Sequence, residues 1–94
     1  MKAYLIATET VKDEAIFAKY RQQVMATLAP YDAKFVVRGG TLSVLEGEWP
    51  DPRVAIIEFP SAAEDWYRSD AYQKIIGLRL NSTVGNLVIV DGPV

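Results

Sequence analysis

The chain contains neither cysteine nor histidine. Without cysteine there is no disulfide framework, no thiolate nucleophile and no zinc–thiolate site. Without histidine it lacks the commonest general base, the commonest metal ligand and the side chain that titrates nearest neutral pH. Long apolar runs are also missing. The stretch from Ala3 to Ala7 is closed by Glu9 and is too short for a signal-peptide core. Nothing approaches the roughly 20 apolar residues of a membrane span. Asn81-Ser82-Thr83 fits the glycosylation pattern, but no secretory signal gives it meaning. A cytoplasmic protein without a membrane partner is expected. The 10 lysines and arginines are scattered singly and the net charge is -2, which speaks against nucleic-acid binding. The six glycines, at 39, 40, 47, 77, 85 and 92, build neither a dinucleotide fingerprint nor a phosphate loop. No cofactor and no metal are expected.

Half of the 94 residues are hydrophobic and 23% are charged, the composition of a globular protein rather than a disordered one. The length implies a single domain over residues 1–94. A chain this small folds only marginally alone, so a partner subunit would help it.

The pattern divides cleanly into elements. Lys2 to Glu9 is a short apolar run flanked by charge, which predicts a strand. Thr10 and Asp13 have capping-box spacing, and Asp13 is itself a fitting N-cap. Phe17, Tyr20, Val24, Met25 and Leu28 then form a helical stripe, ended before Pro30. Lys34 to Arg38 is β-branched and aromatic, hence a strand. Gly39-Gly40 suits a bulge or bend, after which Thr41 to Glu46 resumes the strand pattern. Arg53 to Phe59 is a third strand, stopped by Pro60. Ser61 to Glu64 reads as a capping box opening a short helix through Trp66 and Tyr67, and Ser69-Asp70 offers a second cap. Tyr72, Ile75, Ile76, Arg79 and Leu80 share one face of the next helical stretch. Asn81 to Gly85 is expected to be a loop and Leu87 to Val90 a last strand.

The order is β-α-β-β-α-β, with strands expected near residues 2–9, 33–46, 53–59 and 86–91. This is the α+β, ferredoxin-like arrangement, a four-stranded antiparallel sheet with helices on one face. A sheet covered on one face should alternate apolar and polar residues. Phe35-Val36-Val37, Val54 to Ile57 and Leu87 to Val90 are apolar on both faces instead. The uncovered face therefore needs burial, and a second copy of the same sheet is the simplest cover. The expected partner is the chain itself, in a homodimer whose interface totals on the order of 2,000 Å² or more.

Several segments resemble the bacterial domain-of-unknown-function family 1330. They are Tyr20-Arg21, Val37-Arg38-Gly39-Gly40, Val44-Leu45-Glu46-Gly47, Ile57-Glu58-Phe59-Pro60-Ser61, Trp66-Tyr67, Ser69, Tyr72-Gln73, Leu78-Arg79 and the ending Leu87 to Gly92. The likeness runs in order over almost the whole chain. It implies a dimeric α+β barrel with two facing sheets around a small cavity, and it brings no settled activity. The chain departs from the family in three places. About two residues are missing before Trp66, Asp70-Ala71 follows Ser69 where Pro-Glu is usual, and Asp32-Ala33 replaces a glycine pair.

Six residues are candidates for a ligand site. Arg38, at a strand end, would present its planar fork to a carboxylate or phosphate, unless it pairs with Glu46 or Glu58. Arg79 lies on an otherwise apolar helix face, where a charge must snorkel, pair or line a cavity. Tyr20 sits on the core stripe of the first helix, and Trp66, Tyr67 and Tyr72 would make an aromatic wall for a flat ligand or simply pack on the sheet. Glu46 and Glu48 read as turn residues rather than an acid–base pair, and Ser61 and Ser69 as caps rather than nucleophiles. Two functions remain. One is a small-molecule site for an acidic or aromatic ligand in the barrel cavity, or between the sheet and the helices, with Arg38 or Arg79 reaching into it. Such a site resembles relatives that act on small carbonyl or aromatic substrates, some as cofactor-free oxygenases. The other is a non-catalytic dimeric binding or interaction module. Polar groups converging on a cavity favour the first; a filled apolar interior favours the second.

Overall fold

The computed structural model describes residues 1–93. Strand β1 (Ala3–Val11) leads through Asp13 into helix α1 (Glu14–Leu28). The Asp13 carboxylate accepts the Ile16 backbone N–H at 3.0 Å, so the second capping residue of the Thr10/Asp13 pair is the one used. A short 3₁₀ turn at Ala29–Tyr31 carries Pro30 at its start. Strand β2 (Lys34–Arg38), strand β3 (Arg53–Phe59), helix α2 (Ala63–Arg68), helix α3 (Asp70–Leu80) and strand β4 (Thr83–Asp91) follow. The sheet order is β2-β3-β1-β4, and every neighbouring pair is antiparallel. This is the ferredoxin-like arrangement read from the sequence.

Strand alternation decides which side chains meet the helices. Ala3, Leu5, Ala7 and Glu9 of β1 and Ala55, Ile57 and Phe59 of β3 are buried beneath them. Trp66 and Tyr72 fill the centre, their rings 4.0 Å apart, and Phe59 lies against Trp66. Trp66 donates its indole N–H to Thr27 Oγ1 at 3.0 Å, and Thr27 in turn donates to the Val24 carbonyl at 2.7 Å. The other face is bare. Ile6, Val54 and Ile56 are half-buried there, and Val37, Val84, Val88 and Val90 are exposed. At one end Glu58 accepts from Tyr4 and pairs with Lys34 and Lys2. The Tyr4 hydrogen bond first, then the two lysines, hold its carboxyl below the usual range.

Several expectations change. The strand expected over 33–46 stops at Arg38, because Gly39 at φ +70° turns the chain away, and Thr41 to Glu46 runs on without a sheet partner among the described residues. Its apolar residues stay uncovered, with Leu45 91% exposed. The expected loop at Asn81–Gly85 is largely strand: β4 begins at Thr83 and pairs with β1 to its end at Val11. Gly85 makes this possible, since it lies at φ +152° with the β1 backbone so near that a Cβ would sit 1.8 Å from the Thr8 carbonyl oxygen. Ser61 does not cap α2; Ala62, at φ 58°, occupies that position. Ser69 caps α3 by accepting the Tyr72 N–H at 3.2 Å. Met25 and Leu80 leave the helical stripes and are exposed; Thr27, outside the expected α1 stripe, is buried instead, while Tyr72 and Ile75 keep the α3 stripe inward.

Gly85 therefore tolerates no side chain. Gly85→Ala should cost about 3 kcal/mol of unfolding free energy. Gly40→Ala, where a Cβ meets nothing within 4 Å, should stay within about 0.5 kcal/mol of wild type. Urea unfolding followed by tryptophan fluorescence measures both.

Candidate functional site

The side chains with chemistry gather where α1 and α3 cross the inner face of the sheet. Glu9 ends the inward series of β1 and Arg53 begins that of β3, so the antiparallel register sets them opposite each other. Arg53 Nη1 donates to Glu9 Oε1 at 2.8 Å. Glu9 is only 4% exposed, so this pair is what makes a carboxylate tolerable there. The Arg53 guanidinium also lies 5.0 Å from the centre of the Phe17 ring, and Gly39 leaves it room.

Arg38 reaches the same side through a bulge. Phe35 pairs with Ile57, Val37 with Ile56 and Arg38 with Ala55, so one extra residue enters between Phe35 and Val37. Plain alternation would put Phe35 and Arg38 on opposite faces; the bulge returns both to the face of Ile57 and Ala55. The Arg38 guanidinium then lies 4.5 Å from the Phe35 ring centre. The bulge sits at Val36-Val37, ahead of the glycine pair expected to supply it.

Deeper in, the last turn of α3 supplies Arg79, whose Nε donates to the Tyr72 hydroxyl at 3.0 Å. The Tyr72 and Tyr20 hydroxyl oxygens are 3.0 Å apart. Burial first, then Tyr72 and the charge of Glu9, push the Tyr20 hydroxyl far above its ordinary value, so it stays neutral. Burial works against the charge on Arg79, but the Tyr72 oxygen, Tyr20 and Glu9 outweigh it and hold the guanidinium charged.

Glu9, Tyr20, Arg38, Arg53 and Arg79, joined by Arg21 of α1 and the Phe17 and Phe35 rings, line a cavity of about 30 Å³ whose walls are otherwise Leu5, Ala7, Val24, Ala55, Ile57, Trp66 and Leu87. That is space for one water molecule or one ligand oxygen. Outside it lies a groove of about 500 Å³ bounded by Ala18, Arg21, Gln22, Arg38, Gly39 and Arg53. Arg21, Arg38 and Arg53 belong to both, so the groove is the vestibule of the cavity. Four of the five arginines of the chain line the two spaces, against a single carboxylate, Glu9. Among the described residues, no carboxylate lies within 4.0 Å of Arg21, Arg38 or Arg79. Arg38 thus pairs with neither Glu46 nor Glu58.

Of the sequence candidates, Tyr20, Arg38, Trp66 and Arg79 line the cavity. Tyr72 stands behind it, fully buried, and reaches it only through Tyr20 and Arg79. Tyr67 does not take part. It packs on Tyr72 and faces an outer groove along Leu87, Val88 and Ile89, because it follows Trp66 on α2 and successive helical residues point in different directions. The aromatic wall of three is therefore an indole at the cavity with two tyrosines behind or outside it. Sequence reasoning missed Glu9, Arg53 and Arg21. The first two were signalled by strand phase, being the charged members of the inward series Ala3-Leu5-Ala7-Glu9 and Arg53-Ala55-Ile57-Phe59.

A family model described as "Domain of unknown function (DUF1330)" matches residues 2–93. No curated protein matches the chain. Among solved structures, a protein of unknown function from Rhodopseudomonas palustris is similar at a TM-score of 0.77 and 17% identity, over 98% of this chain and 82% of that one. A dimeric ferredoxin-like protein of unknown function from Jannaschia has a TM-score of 0.61 and 19% identity, over 100% of both chains. A dimeric protein of unknown function with a ferredoxin-like fold from Bacteroides fragilis has a TM-score of 0.61 and 8% identity, over 97% of this chain and 96% of that one. At these identities the likeness is one of fold.

Two of the four arginines, Arg53 and Arg38, should separate under mutation. Arg53→Ala strands the buried Glu9 carboxylate and should cost about 3 kcal/mol or more of stability. Arg38→Ala strands nothing and should stay within about 0.5 kcal/mol of wild type. Denaturant titration of the two variants checks the contrast.

Proposed function

The chain belongs to the DUF1330 family, and we propose that it works as a homodimer in which each protomer binds a small anionic molecule in the arginine-lined groove and cavity between its sheet and helices. The observation that carries this reading is the charge imbalance at the site. Four guanidiniums face one carboxylate within a chain of net charge -2. Arg53 is matched by Glu9, but Arg79 is half-buried with no carboxylate beside it among the described residues, a costly state that a bound anion offsets, and Arg21 and Arg38 stand exposed at the groove mouth where they meet that anion first. Arg21 and Arg38 offer planar forks suited to a carboxylate or phosphate, steadied on Phe17 and Phe35. Low-dielectric walls around one sign of charge also raise the local concentration of the opposite ion. A purely structural or interaction module would be better served by a filled apolar interior.

The dimer half of the reading rests on the bare sheet face. Each protomer is a slab of about 35 × 33 × 17 Å, one sheet under one helical layer. Tyr4, Ile6, Val37, Ile56, Val88 and Val90 lie on its open side. A second copy covers this face with a surface of its own kind, in the two-fold manner commonest among oligomers. The structural relatives described as dimeric share the fold that leaves this face open.

Sedimentation at micromolar concentration should show a particle of two 10.4 kDa chains. Val88→Glu, on the open face opposite Ile6, should shift it to one chain. A wild-type monomer would sink the dimer.

Small carboxylates titrated against the labelled protein should move backbone resonances around Arg21, Arg38 and Gly39. The double variant Arg21→Ala/Arg38→Ala should weaken that binding about 10- to 100-fold with its unfolding midpoint nearly kept. Undiminished binding by the double variant would remove the groove from the function.

A further inference from the structure

The proton positions along Arg79, Tyr72 and Tyr20 follow from what each atom can do. Arg79 Nε is only a donor, so the Tyr72 oxygen accepts at the 3.0 Å contact between them. Tyr72 is 0% exposed, so its own hydroxyl hydrogen must find an acceptor within the protein. Among the described residues, the other hydrogen-bond partner of that hydroxyl is the Tyr20 oxygen, 3.0 Å away. If Tyr20 donated instead, the Tyr72 hydrogen would be buried without an acceptor and carry the full desolvation penalty. The chain therefore runs from Arg79 to Tyr72 to Tyr20, and the Tyr20 hydrogen is the one left over. Tyr20 lines the inner cavity, and so does Arg79. Among the described residues, the recorded bond of the Arg79 side chain is its Nε–H to Tyr72, so its two terminal amino groups also remain as donors.

The geometry points to an inner subsite in which the Tyr20 hydroxyl and the Arg79 amino groups donate to one oxygen of a ligand whose acid group sits at Arg21 and Arg38. The ligand class is a small dicarboxylic acid, or an acid carrying a comparable second acceptor oxygen. Tyr72 is a positioning residue here, because it touches neither space and acts by fixing its two neighbours. The sizes agree with this division. The inner cavity of about 30 Å³ takes an oxygen-sized group, and the vestibule of about 500 Å³ takes the body of the ligand. The apolar inner walls make the donors stronger than they would be in water and exclude a competing solvent shell. A ligand with an apolar end would leave these donors facing nothing.

This inference rests on the anion groove proposed above, and a matched pair of probes separates the two. Succinate and butyrate share a four-carbon chain and one carboxylate; only succinate offers a second set of oxygens at the far end. Calorimetry should find succinate the tighter ligand of the wild-type homodimer. Tyr20→Phe, which keeps the ring, should lower succinate affinity about 10- to 100-fold and leave butyrate unchanged. In wild-type protein carrying an isotope label at the tyrosine Cζ, succinate should shift the Tyr20 resonance and butyrate should not. This second measurement needs no variant to fold. Equal losses for both acids in Tyr20→Phe, or none for either, overturn the inner subsite while the groove stands. Failure of both acids to bind the wild-type protein overturns the groove and the subsite together.

Discussion

The Glu9–Arg53 pair is the contact on which the rest of the arrangement depends. A carboxylate 4% exposed beneath two helices is admissible only with its counter-ion in place. The antiparallel register supplies that counter-ion from the next strand, and both neighbours of the pair are glycines for steric reasons. Gly85 lies opposite Glu9 on the other side of β1 and brings β4 against it. Gly39 lies beside the Arg53 side chain, where a Cβ would meet Nε at 3.3 Å. Its amide donates to the Val54 carbonyl at 2.8 Å, which fixes the point where β2 leaves the sheet. The pair thus holds the open end of the two-layer slab, and the remaining arginines collect around it without carboxylates of their own. In a domain whose total stability is about 5–15 kcal/mol, losing one such pair is a large fraction of the whole.

Most of the fold is legible in the sequence because its signals are local. The period-2 run of β1, the Asp13 and Ser69 caps and the stop at Pro60 each depend on neighbours within a few residues. The element order β-α-β-β-α-β then points to the ferredoxin-like arrangement. The errors fall where a local signal met a non-local constraint. Thr41 to Glu46 has the alternation of a strand, but a strand needs a partner, and Gly39 takes the chain away from β3. The segment from Thr83 to Gly85 lacks strand-forming pattern, yet the long β1 offers it a complete hydrogen-bonding edge, and a glycine at the tightest point lets it close. Partner availability overrode propensity in both directions.

The site was half legible for a comparable reason. Arg79 stood out as a charge on an apolar helical face, and Tyr20 as a hydroxyl on another, because helical periodicity shows such intruders directly. Glu9 and Arg53 carry the same kind of signal in strands, one charge closing each inward series. They are read as flanking charges because each stands at the last or first position of its expected strand, where a charge is ordinarily solvated. Arg38 could be named but not aimed. The bulge that turns it inward changes the parity of β2, and Val36-Val37 contains nothing that announces an extra residue. Tyr67 follows Trp66 directly on α2, so with the indole turned to the cavity its neighbour's ring faces the outer groove instead, a distinction that the pair of aromatics does not announce.

The placement of charge links the two faces of the sheet. On the open face, the carboxylate Glu58 is matched by Tyr4, Lys34 and Lys2 at one end, and the middle is apolar, so nothing there resists a second apolar sheet. On the inner face the balance is reversed, with one carboxylate against four guanidiniums. A homodimer formed through the open face would therefore turn both basic grooves outward, away from the interface, and leave each accessible through its own vestibule. Assembly and ligand binding then draw on opposite sides of the same four strands. The strand alternation that separates them is also what keeps a substitution on one face from disturbing the other.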